Sequence, residues 1–304
     1  MSVAMSDPIF NRYLEANVDA KKRWKAFKVH DYKRISECPV VDELVPLFGT
    51  PDFDFLSAEQ KRTLFLEFIK HNAEALLIFE QLLLLAFRTF QRKVKLDGPA
   101  LAALKQLTYE EYLHSKAFRI FLRNEPAFDW PQKGLMVHMT WARSCLLWLA
   151  RSNPLILPLW GTKAEAFSVY YAQYLKKCFG SWEDNQWSKL HHLHVMDEAH
   201  HLNVQLDLYQ SGYPLSRINT GIAFLLSFYL FVGFIQCLLF GGCWNMIRSA
   251  FPNHTVWQRL GLTLKTARWT VRKFEPYTQA RMRTKALYLE KKPALGRWIS
   301  FIYW

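Results

Sequence analysis

Along this chain, apolar residues recur at helical intervals over long runs. The strict alternation of a half-buried strand is scarce, and no hairpin turn separates such runs. From Ser57 to about residue 92 there is neither glycine nor proline, and Ser57 followed by Gln60 has the form of a capping box, so this stretch reads as one long helix. After the Asp-Gly-Pro break at 97–99, residues 100–123 read as a second, with Leu104, Leu107, Leu113 and Phe118 roughly on one side. A helix over 134–150 is ended by the prolines of NPLILP, another covers 162–178, and a further one runs from about 187 to 210, where SGYP stops it. Residues before 60 are interrupted by Pro39, Pro46 and Pro51 and read as irregular or partly helical. The expected fold is all-α. A preface (1–59) packs on a helical bundle (60–217), followed by an apolar segment (218–247) and a basic, helical C-terminal extension (248–304).

Polar residues inside two of these helices change the picture. HHLHVMDEAHH at 191–201 places His194, Glu198 and His201 four and then three residues apart, on one face of a helix. TYEEYLHSK supplies a second Glu-x-x-His pair, Glu111 and His114. Bundles that hold two metal ions take Glu-x-x-His from each of two helices and a single Glu from each of two others. The single Glu should lie thirty to forty residues earlier, the path down one helix and up the next. Glu165 lies 33 residues before Glu198; Glu80 lies 31 and Glu74 lies 37 before Glu111. Glu80 is preferred, because in LLIFEQLLLL an ionised carboxylate is unfavourable without a metal or charge partner. Asp197 and Glu110, one residue before each pair, stand where they would accept a hydrogen bond from the distal nitrogen of a histidine on the facing helix. His30, His71, His138, His191, His192, His200 and His254 read as surface or supporting groups. Carboxylate and imidazole ligands suit iron first and manganese second, whereas zinc favours tetrahedral nitrogen and sulfur sets.

The constellation resembles the ferritin-like di-iron carboxylate proteins. The extra histidine in His-x-x-x-Glu-x-x-His, carried by HVMDEAHH, is similar to the p-aminobenzoate N-oxygenase family over about residues 60–210. The resemblance implies Glu80, Glu111, His114, Glu165, His194, Glu198 and His201 as ligands of two iron ions. It also implies a ferritin-like four-helix bundle, O2 and a small amine, typically an arylamine, as substrates, an external electron donor, and oxidation of the amine nitrogen towards hydroxylamine, nitroso or nitro products. A hydroxylase or desaturase acting on a lipid, acyl chain or quinone at a membrane face is the competing expectation.

Composition adds the remaining constraints. At 304 residues and 51% apolar content the chain can bury a substantial core. Its five cysteines form no CxxC pair and its N-terminus lacks an apolar run, which points to a reducing, cytoplasmic setting. The net charge of +13 is concentrated between Arg248 and Arg297, where twelve Lys or Arg face only Glu275 and Glu290. No nucleic-acid module motif accompanies this charge, so an anionic membrane surface is the better partner. Ile218 to Ile247 contains no charged residue. A single membrane crossing there would set bundle and basic tail on opposite sides. The expectation is therefore a helix in the core or at a homodimer interface, or a bent apolar hairpin through Gly233 and Gly241–Gly242 dipping into one leaflet, which makes the protein peripheral to the membrane.

Overall fold

The computed structural model describes residues 7–93, 96–130, 156–212 and 242–291. The described residues are α-helical with short 3-10 turns and no strand, as the chain's periodicity requires. Helices α1 (Asp7–Ala16), α2 (Ala20–Ala26) and α3 (Pro51–Asp54) make up the preface. The four long helices are α4 (Ala58–Lys93), α5 (Gly98–Asn124), α6 (Ile156–Phe179) and α7 (Gln186–Gly212). Helices α8 (Trp244–Ala250), α9 (Val256–Arg272) and α10 (Glu275–Lys291) follow. The expected helix at 134–150, most of the apolar segment, and the chain beyond 291 lie outside the described residues. No helix among the described residues is long and apolar enough to cross a membrane.

The long helices form where the sequence places them, with one shift. The Ser57 backbone N–H donates to Gln60 Oε1 at 2.9 Å, and Gln60 returns its own N–H to Ser57 Oγ at 3.2 Å, closing the capping box at the start of α4. Helix α6 begins at Ile156 rather than 162. Pro158 is its third residue, in the first turn, where the missing N–H would have had no helical partner.

The long helices pair as α4 with α5 and α6 with α7, and the pairs meet through α5 against α7 and α4 against α6. Each presents a buried stripe at intervals of three and four: Phe65, Ile69, Ala73, Leu76, Glu80, Leu83, Phe87 and Phe90 on α4, and Leu104, Leu107, Glu111, His114, Phe118 and Phe121 on α5. Polar residues therefore occupy core-facing positions by register, carried inward by the apolar residues above and below them.

These apolar residues segregate along the bundle. One cluster joins Phe65, Phe68 and Ile69 of α4, Phe118 and Phe121 of α5, and Trp187 and Leu190 of α7. A second joins Leu83, Phe87 and Phe90 of α4, Leu104 and Leu107 of α5, and Val204 and Leu208 of α7 with Phe10 and Tyr13 of α1. The polar residues lie between the two, so burial at both ends excludes water from the middle. Helices α1 and α2 cover α5 and α7 there; α8 packs on α4, and α10 on α6.

Candidate metal centre

All seven residues expected as ligands meet at this level. Glu80, His114, His194 and Glu198 each offer one ligand atom within 4.8 Å of the others, and so do Glu111, Glu165, Glu198 and His201. Glu198 belongs to both groups, as a carboxylate shared between two adjacent cations would. Every member is buried, none more than 3% exposed. Glu74 is elsewhere, beside Lys70 and Glu67. Six residues are about 1.7 helical turns, which turns Glu74 well away from the face that carries Glu80.

His114 Nδ1 lies 3.0 Å from Glu198, 3.5 Å from Glu111 and 3.7 Å from Glu80, while its Nε2 is 3.0 Å from Asp197 Oδ2. His201 repeats the pattern: Nδ1 is 3.3 Å from Glu111, 3.5 Å from Glu198 and 3.6 Å from Glu165, and Nε2 is 2.7 Å from Glu110 Oε2. When Nε2–H donates outward, each Nδ1 lone pair points at carboxylate oxygens that are themselves acceptors. The inward atoms accordingly lack hydrogen-bond partners: Nδ1 of His114 and His201, Oε2 of Glu80, and both oxygens of Glu111 and Glu198. A cation satisfies this convergence of lone pairs.

Charge makes the same demand. Six carboxylates are buried at this level, Glu80, Glu110, Glu111, Glu165, Asp197 and Glu198. Among the described residues, Arg23 on Asp197 is the only lysine or arginine paired with any of them. Burying ionised groups costs several kcal/mol each unless opposite charge is close. With all six carboxylates ionised and the imidazoles neutral, the state in which they ligate, two divalent cations would lower an excess of about five negative charges to about one. The carboxylates also act on the imidazoles: burial disfavours the charged form, but Asp197, Glu111 and Glu198 around His114 outweigh it and hold its pKa well above the usual histidine range. His201 is raised in the same way by Glu198, Tyr13, Glu110 and Glu111. Burial, followed by the like charge of His114, pushes His194 down. Glu111 is raised by burial and by Glu80 and Glu198 beside it.

The two carboxylates that orient the histidines are themselves held from the preface. Asp197 Oδ2 accepts from Trp24 Nε1 at 2.8 Å, and Oδ1 accepts from the Arg23 guanidinium. Glu110 accepts from the Tyr13 hydroxyl at 2.6 Å and from Gln106 Nε2 at 2.6 Å. Trp24 leans on the His114 ring and Tyr13 on the His201 ring. Gln205 donates to Glu165, and Gly161 leaves the space for it: a methyl there would come within 2.5 Å of Gln205 Oε1. Gln106 lies four residues before Glu110 and Gln205 four after His201, spacings the sequence displays. Tyr13, Arg23 and Trp24 reach the site from separate helices, and no spacing along the chain announces them.

His194 is placed differently from the other two. Its Nε2 faces Glu80 at 3.1 Å and Glu198 at 2.9 Å, but its Nδ1 has no partner. Phe118 meets its ring edge to face. His191, one turn earlier, is neither a surface nor a supporting group; it is buried among Trp187, Tyr171 and Phe118 with both nitrogens unpartnered. His192 stacks on Trp182, and His138 lies outside the described residues.

No family model, no curated protein and no solved structure matches this chain. The residues define the class directly: an all-α protein with a buried glutamate and histidine cluster able to hold metal ions.

Proposed function

We propose that the protein is a non-haem di-iron oxygenase that activates O2 and oxidises the nitrogen of a small amine, with arylamines the expected class. The observation that carries this reading is the pair of four-residue groups joined at Glu198, with a third histidine, His194, among their seven members. Four carboxylates and three imidazoles match the donor preferences of iron, with manganese the second choice. Iron bound there supplies reduction of O2 and transfer of oxygen to an amine lone pair, with electrons from an external donor.

The chain's own contribution is positional. Asp197 and Glu110 fix the tautomers of His114 and His201, so that Nδ1 of each presents its lone pair inward. The apolar clusters above and below keep bulk water from the reacting groups. His194, without a carboxylate behind it, is the least basic of the three imidazole donors.

Feeding 18O2 to the iron-loaded, reduced protein with an arylamine, and separately with a fatty acyl substrate, tests this reading. Label in an N-oxidised arylamine is the expected result. Label in the acyl chain alone would favour a second reading, a di-iron hydroxylase or desaturase of lipid-like substrates. The thirty uncharged positions from Ile218 to Ile247 are the observation on its side. Turnover of neither substrate removes the oxygenase assignment.

A further inference from the structure

We propose that the outer stripe of α9 is a docking surface for an anionic lipid bilayer. Helix α9 is firmly seated. A capping box between Thr255 and Gln258 starts it, with Thr255 N–H donating to Gln258 Oε1 at 2.9 Å and Gln258 N–H to Thr255 Oγ1 at 3.3 Å. Its inner face buries Thr263, Thr266, Ala267 and Trp269, and Trp269 Nε1 donates to the Phe48 carbonyl at 2.9 Å. What it leaves outside is therefore a fixed surface.

That surface is unusual for a helix exposed to water. Trp257, Gly261, Leu264, Arg268 and Arg272 recur at intervals of three and four and share one solvent-facing arc. Trp257 is 80% exposed and Leu264 53%, and the adjoining Val256 is 64% exposed. The apolar residues lie towards the start of the helix and the arginines towards its end. Lys265, at the edge of the stripe, is bound to Asp52 at 2.7 Å. Among the described residues, no acid pairs with Arg268 or Arg272.

Tryptophan and leucine beside arginine, on a helix about 25 Å long lying flat on the protein, match a membrane interface. The rings would enter the boundary between headgroups and acyl chains while each guanidinium grips a lipid phosphate. The sign of the charge selects anionic lipid: Arg248 to Arg297 carries twelve Lys or Arg against two acids. A second copy fits poorly, since a two-fold pairing of this face sets the arginines either against each other or against the apolar start of the partner helix, with no acid to meet them. The inference rests on α9 and does not depend on what the buried centre holds.

The test is co-sedimentation of the full-length protein with vesicles of phosphatidylcholine alone and with about 30% phosphatidylserine, at low and at raised salt. The surface predicts pelleting with the anionic vesicles that weakens in salt. Arg268→Glu with Arg272→Glu should lower that binding about tenfold or more, and Trp257→Ser several-fold, with helicity and metal content unchanged. Failure of the unaltered protein to pellet at low salt overturns the proposal. So does undiminished pelleting of a variant combining Arg268→Glu, Arg272→Glu and Trp257→Ser, which would place the contact elsewhere, or a concentration-dependent dimer that Trp257→Ser abolishes, which would make the face a contact between copies.

Discussion

Replacing Asp197 by Asn removes one charge without changing shape, and the surroundings make it a severe change. Asp197 Oδ1 accepts from Arg23, while Oδ2 accepts from Trp24 and faces His114 Nε2. Arginine and the indole N–H are donors only. An asparagine amide can therefore satisfy one side at most: its NH2 group opposes either the guanidinium or the indole. If His114 instead accepts from the amide through Nε2, its proton moves to Nδ1, the atom that faces Glu198, Glu111 and Glu80, and the inward lone pair is lost. Loss of an outer partner of this kind weakens metal binding about 10- to 100-fold, or about 1.4–2.7 kcal/mol. The stranded donor adds about 1–3 kcal/mol of lost stability in the metal-free protein. Competition against a chelator of known affinity measures the first quantity, and urea denaturation of the metal-free protein the second. Trp24→Phe, which strands no donor, should give a smaller loss in both. Metal affinity within twofold of the parent for Asp197→Asn, in a protein of normal helicity, would refute the orienting role.

Three further outcomes follow from the same geometry. The surrounding carboxylates raise the pKa values of His114 and His201, and burial with Glu80 and Glu198 raises that of Glu111 to about 8, so metal binding should release protons and weaken as pH falls; the enthalpy of binding in buffers of different ionisation heat measures the release, and its absence would contradict these shifts. Gly161→Ala pushes its methyl against Gln205 and Leu83, and should cost about 1–3 kcal/mol while weakening metal binding as Gln205→Ala does; an unchanged melting temperature and metal affinity would show that Gln205 need not hold Glu165. Burial raises the Glu74 carboxyl to about 7, against the neighbouring Lys70. Its contribution to stability is full below pH 4.5 and disappears as pH rises through 7, so Glu74→Gln should gain up to roughly 3 kcal/mol over the parent at pH 8 and little at pH 4; equal denaturation curves at pH 8 would count against that burial.

The helices and the grouping of the seven side chains were legible because both are written in short-range spacing. Glu80, Glu111, His114, His194, Glu198 and His201 take positions that helical register reserves for apolar residues, between stripes such as Leu76 and Leu83 or Leu107 and Phe118. Polar residues in that register break the local rule, and such breaks concentrate at functional sites. Glu74 competed with Glu80 on chain distance alone; the turn of the helix separates them. The supporting donors were hidden for the opposite reason. Arg23 and Trp24 meet Asp197 across more than 170 residues, and Tyr13 meets Glu110 across 97. Nothing but the packing of α1 and α2 on the bundle brings them together. The sequence places the start of α6 six residues late, at 162 rather than Ile156, because a proline reads the same whether it follows a helix or sits in the first turn of the next.

Whether two neighbouring cations share Glu198 is decided by an iron titration of the metal-free protein, repeated on Glu198→Ala and Glu80→Ala. The expected result is two equivalents per chain for the parent, loss of both in Glu198→Ala, and retention of one in Glu80→Ala, which disturbs a single group. Iron that fails to bind the parent, or two equivalents that persist in Glu198→Ala, would contradict it.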